Sequence, residues 1–187
     1  MCKPASMIVA KSKTYWSPNT DSHHEIISEF HIKETDARGN INIVPVEIYP
    51  EDGNLNTPVS KWKFSIDHAG YEKDLPDWWD ADKYEKEVRA AVKHWKKQKV
   101  ITRKTAVLSG GQYYIYADVG VLKDSKNTNV CAGGSVNEVY GSVNIVREGG
   151  SVNEVWGSVN TVCVGGSVNE VWAGGTIITN AGNGSGS

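Results

Sequence analysis

The sequence predicts an α+β head followed by a short β-solenoid, and three observations carry that prediction. The phrase Gly-Ser-Val-Asn-Glu-Val-aromatic begins at Gly134, Gly150 and Gly166, so it recurs every 16 residues without a slip. Composition changes along the chain: all six prolines lie at or before Pro76. Residues 1–104 hold 17 Lys/Arg and 16 Asp/Glu, against 3 and 6 in residues 105–187. The N-terminal part shows no repeat; its apolar residues alternate in some stretches and fall at helical spacing in others. The expected organisation is a head over residues 1–104, a solenoid over 105–180 and a disordered Gly/Ser tail over 181–187.

In the head, residues 7–10 and 14–16 read as short strands, separated from the next element by turn chemistry at residues 17–21. Ser22-His23-His24-Glu25 fits a capping box, with the Ser22 hydroxyl serving the Glu25 N–H and the Glu25 carboxylate returning to the Ser22 N–H. The helix that follows runs to Phe30, with His23, Ile26, Ile27 and Phe30 on one face and His24 elsewhere. Residues 41–49 alternate as a strand, which Pro45 and Pro50 place at a sheet edge or a strand end. Residues 61–67 form the clearest strand, with Trp62, Phe64 and Ile66 on one side. A long helix follows Pro76, with Asp77 as its expected cap. Ala81, Tyr84, Val88, Ala91, Val92 and Trp95 form its buried stripe, and Lys93, Lys96, Lys97 and Lys99 complement its negative end. About four strands and two helices result, and residues 100–117 lead toward the repeat.

Within the repeat, a weaker half-copy, Gly-Ser-Val-Asn, starts at Gly141 and Gly157. Frequent glycine, no proline and many valines predict a flattened β-solenoid in which each unit buries its apolar face against its neighbours. The expected path is straight over 139–143, turning at Asn144-Ile145 and again at Asn153-Glu154, for roughly three rungs about 4.8 Å apart. Stacking then sets up columns: a valine core at Val136/Val152/Val168 and Val139/Val155/Val171, and an amide ladder at Asn137/Asn153/Asn169. Outside the core come an aromatic column at Tyr140/Trp156/Trp172 and a carboxylate column at Glu138/Glu154/Glu170. The last rung leaves an open β edge, which predicts a homo-oligomer built by stacking that rung on a second chain.

Chemistry is sparse. The net charge of −2 makes no case for nucleic acid or an acidic membrane, and the basic run at 93–104 is accounted for by a helix C-terminus. No apolar run reaches transmembrane length, so a soluble, cytoplasmic protein is expected, with no membrane partner. The three cysteines show no metal-ligand spacing; Cys131 and Cys163 share a repeat phase two periods apart and are expected as reduced thiols. Cys2 makes a poor nucleophile, and Gly110-Gly111 reads as a turn. His23 and His24, with Asp21 and Glu25, are the one cluster resembling a metal or acid–base site. Adjacent histidines diverge on a helix, however, so no metal, cofactor or catalytic residue is assigned. Asp67-His68 stands out, as does the Trp78-Trp79 pair, which is expected to split between core and neighbouring strand.

Tyr15-Trp16-Ser17-Pro18, Asp21-Ser22-His23, Ile26-Ile27 and Glu47-Ile48-Tyr49-Pro50 together resemble small phage and prophage proteins of uncharacterised activity. The Trp62 strand, the Asp77-Trp78 helix start and the Ser-Val-Asn tail add to the likeness. The resemblance implies a phage accessory role, directed against a host defence system, and carries no catalytic residue with it. The leading expectation is a non-enzymatic interaction protein that binds or sequesters a host protein or a small ligand and oligomerises through its solenoid. Its candidate binding residues are Glu138, Glu154, Glu170, Tyr140, Trp156, Trp172, His23, His24, Trp78 and Trp79. The alternatives are an enzyme or nucleotide-binding protein with its site in the head, and a structural virion component.

Overall fold

The computed structural model describes residues 5–67 and 75–180. Cys2, His68 and the tail at 181–187 lie outside the described residues. The chain divides into two compact units, Met1–Lys97 and Gln98–Ser187.

The first unit contains β1 (Ser6–Ala10), β2 (Lys13–Tyr15), α1 (His23–Glu29), β3 (Ile43–Tyr49) and β4 (Lys63–Ile66), then most of α2 (Ala81–Lys99). Its four strands form an antiparallel sheet in the order β2-β1-β3-β4. Ile8, Ile26 and Ile43 pack together and join β1, α1 and β3. On α2, Tyr84, Val88, Val92 and Trp95 are buried at helical spacing. Trp95 meets Trp62 edge-on at 6.2 Å, and its indole N–H donates to Asp21 at 3.1 Å. Arg89 bridges α2 to the turn before β4, donating to the carbonyls of Val59 (2.8 Å) and Trp62 (3.0 Å).

Four local expectations are corrected. Pro45 lies in β3, an interior strand of the sheet. Its carbonyl accepts from Asp67 just beyond the end of β4, so its ring nitrogen points to the side where β4 has stopped and no ladder donor is needed. Asp80, not Asp77, caps α2: its carboxylate accepts from the Lys83 N–H at 3.0 Å, and its carbonyl accepts from Tyr84. The capping box is half-formed. Ser22 accepts from the Glu25 N–H at 3.4 Å, but the Ser22 N–H is served by the Thr20 hydroxyl at 3.0 Å. Lys99 extends the buried stripe of α2 instead of reaching solvent, and its ammonium donates to Gln112 at 3.2 Å.

The second unit is a β-solenoid of about five turns. Its strands are β5 (Val100–Ile101), β6 (Thr105–Ser109), β7 (Tyr114–Ile115), β8 (Asp118–Lys123) and β9 (Thr128–Val130). Then come β10 (Ser135–Val139), β11 (Ser142–Val146), β12 (Ser151–Val155), β13 (Ser158–Val162), β14 (Ser167–Val171) and β15 (Thr176–Asn180). They alternate between two parallel sheets, β14-β12-β10-β8-β6 and β15-β13-β11-β9-β7-β5. Two turns precede the repeated phrase, so the solenoid is longer than the three rungs that the phrase announces. Their columns are filled by other apolar residues: Leu122 stands below Val139, Val119 below Val136, and Ile115 and Val130 below Val146. A stacked core selects for volume and burial, not for one residue type.

The corners also differ from expectation. Asn144, Asn153 and Glu154 lie within strands; the chain bends at Tyr140-Gly141 and turns through residues 147–150. Gly149 makes the second corner with φ of +71°, where a side chain would be strained. At the tight bend, a Cβ on Gly157 would collide with the carbonyl oxygen of Gly141 in the rung below. The valines three apart are explained by a break in alternation inside each strand. The pairing of β10 with β12 joins Ser135 to Ser151, Val136 to Val152, Glu138 to Glu154 and Val139 to Val155, and passes over Asn137. Both valines thereby face the core, which is closed by Val136, Val139, Val143, Val146, Val152, Val155, Val159 and Val162.

Candidate functional site

The break at asparagine that turns both valines inward also sends the residues between and after them outward. Asn153 donates to Asn137 at 3.2 Å and Asn169 to Asn153 at 3.0 Å, so the amides form the expected ladder. Asn160 and Asn144 repeat the contact on the other sheet at 3.4 Å. Each amide has a donor and an acceptor, so an identical neighbour above and below satisfies both.

Beside the amides runs the aromatic column. Tyr140 and Trp156 lie 6.0 Å apart at an interplanar angle of 11°, and Trp156 and Trp172 lie 5.0 Å apart at 3°. The rings therefore stack along the solenoid and turn their edges to solvent, leaving Tyr140, Trp156 and Trp172 exposed to 48%, 37% and 43%. The carboxylates are tied to the same rings. Glu138 accepts from the Tyr140 hydroxyl at 2.9 Å and from the Asn137 amide at 3.4 Å, and Glu154 accepts from the Trp156 N–H at 3.3 Å. The Glu138 bond raises the Tyr140 phenol above its ordinary pKa, because ionising it would set two negative charges together. Lys123, one position past the Leu122–Val139 pair, precedes Tyr140 in the column. With Val121, Asp124, Glu138 and Tyr140 it lines an open hollow of about 370 Å³.

Among the candidates in the first unit, His23, Trp78 and Trp79 make contacts within that unit. The Nε2 of His23 lies 3.0 Å from the Val46 carbonyl and its Nδ1 3.1 Å from the Asp67 carboxylate, so both nitrogens tie α1 to the sheet. His24 is exposed, away from His23. Trp78 and Trp79 both pack on Tyr84, at 5.5 Å edge-on and 5.0 Å stacked, and Trp78 donates to the Ile41 carbonyl at 3.1 Å. The pair does not split between core and strand, because one ring, Tyr84, offers contact to both. In the basic run, Lys96 donates to the carbonyls of Asn56 (3.1 Å) and Thr57 (2.9 Å) and lies over the Trp62 ring, and its partial burial lowers its pKa. Together with buried Lys99, it leaves fewer free cations there than the sequence offers. Among the described residues, no group of three or more His, Cys, Asp or Glu could hold a metal ion.

No protein-family model matches the chain, and neither curated proteins nor solved structures yield a match. Among the described residues, no helix is long and apolar enough to cross a membrane.

Proposed function

We propose that the chain is a non-enzymatic interaction protein whose solenoid joins a second copy through its last rung. One observation carries this reading. Val139 and Val155 are fully buried, whereas Val171, next in their column, is 46% exposed. β14 and β15 each end their sheet, so the rung also presents unpaired backbone donors and acceptors, the template for strand addition. Two identical edges meet about a two-fold axis, which closes the assembly and pairs the edge strands antiparallel. On the likeness of the N-terminal motifs to small phage and prophage proteins, the partner of the assembled form is a bacterial host protein and the compartment the host cytoplasm.

Light scattering at micromolar concentration is expected to give twice the 20.4 kDa of the chain. Val171→Lys, which leaves its one ammonium in solvent in the single chain but places it at the joint, is expected to give the single-chain mass with unchanged circular dichroism. A wild-type mass of one chain overturns the reading.

A further inference from the structure

We propose that the lateral face formed by Glu138, Glu154 and Glu170 with the rings of Tyr140, Trp156 and Trp172 binds an arginine-rich segment of a partner protein. The inference rests on the reading of the chain as an interaction protein, but not on stacking of the last rung, because the ladder lies along the side of the solenoid.

Three features of the face point to this chemistry. The first is uncompensated charge. The glutamates pair in register, Glu138 with Glu154 and Glu154 with Glu170, so their strands hold them one rung, about 4.8 Å, apart. Like charges at that separation repel. None of the three forms an ion pair among the described residues, and Glu170 has no hydrogen-bond partner there either. A row of cations laid along the column removes the repulsion.

The second is order. Glu154 is held against its ring by the Trp156 N–H through one carboxylate oxygen, and Glu138 by the Tyr140 hydroxyl through one oxygen while its other accepts from the Asn137 amide. A carboxylate accepts at about four lone-pair sites, so each keeps capacity for a forked donor. At Glu138 and Glu154 part of the side-chain freedom is already lost before binding, which favours a planar guanidinium that can take a carboxylate with two N–H groups over a lysine ammonium.

The third is the apolar edge beside the charge. The stacked rings show their rims to solvent, and the methylene stems of arginine cover apolar surface while the head stays polar. The same charge excludes a second copy on this face, since ladder against ladder would set glutamates opposite glutamates. Lys123, standing before Tyr140, bounds the cationic segment at one end.

The test is titration of the full chain with a hexa-arginine peptide at 0.15 M salt (about physiological, where surface steering is largely screened), followed by tryptophan fluorescence. The variants are Glu138→Gln/Glu154→Gln/Glu170→Gln, and a control with the same charge change elsewhere, Glu51→Gln/Glu87→Gln/Glu148→Gln. Saturable binding, weakened about tenfold or more in the ladder variant and less than about twofold in the control, is the expected result; tenfold corresponds to 1.4 kcal/mol. Glutamine keeps the hydrogen-bond acceptor toward each ring, and circular dichroism checks the fold. Equal weakening in both variants, or no saturable binding by the wild type, overturns the proposal. Either failure leaves the mass measurement of the last-rung assembly standing, and a single-chain mass leaves the peptide titration interpretable.

Discussion

Tyr140 shows how a repeat changes when one residue differs. It opens a column continued by Trp156 and Trp172, and its hydroxyl alone can ionise, next to Glu138. Its phenol pKa is raised, first by the bond to Glu138 and then by loss of solvent and by the charges of Glu138 and Glu154. A raised phenol favours the neutral form in the fold. Any stabilisation from the bond is therefore complete below the ordinary phenol pKa of about 10 and is lost as pH rises through the raised value. Glu138→Gln is expected to lower the Tyr140 titration toward ordinary tyrosine, read as a difference in phenolate absorbance between the variant and the parent. Cys131 is the buried counterpart: loss of solvent, its largest influence, raises its thiol pKa, so little reactive thiolate forms. Iodoacetamide mapped by mass spectrometry at pH 8 is expected to label Cys163, which is partly exposed, faster than Cys131, with the gap closing in denaturant. Both residues were legible in the sequence as column members. Their environments were not, because burial at Cys131 depends on the rungs on either side.

At the scale of the element, the solenoid strand is built on a compromise between two periodicities. A straight strand turns every second residue inward, yet the valines are three apart, and the register resolves this by skipping one asparagine per strand. The columns could be read from the spacing alone, since sixteen residues must bring like over like. The corners could not: asparagine suits a turn and an in-strand irregularity equally well, and only the pairing shows that Tyr140-Gly141 and residues 147–150 carry the bends. The head repeats the lesson. Asp77 and Asp80 are both competent caps, and only the path after Pro76 gives the role to Asp80. The modularity has a direct consequence. Deleting 150–165 joins Gly149 to Gly166, keeps every column in phase and is expected to leave a folded solenoid with a lower melting temperature. Deleting 150–161 instead joins Gly149 to Val162, breaks the phase and is expected to abolish the cooperative transition. Loss of the transition in the sixteen-residue deletion would contradict a nearest-neighbour stack.

At the scale of the molecule, the two units draw stability from different sources. The first closes on a mixed core of isoleucines and tryptophans, with side chain to backbone bonds such as those of Arg89 holding α2 in place. The second is stacked rung on rung, and its last described rung keeps Val171 in water. If that rung is completed by a second copy, folding is linked to association, and the melting temperature rises with protein concentration. Calorimetry over a hundredfold range of concentration is expected to show that rise for the parent chain and a flat response for Val171→Lys.

The sequence alone determined the existence of the solenoid, its sixteen-residue period and the identity of its columns, because stacking at a constant interval is dictated by repetition whatever the path between copies. The tertiary structure decided where the chain turns and that two further turns precede the phrase, because any apolar residue of suitable volume can continue a buried column. It also decided which contacts His23, Trp78 and Trp79 make within the head, while the glutamates and rings of the ladder stay on the surface. Those outcomes depend on partners distant in sequence (Val46, Asp67, Ile41 and Tyr84), which no local pattern names.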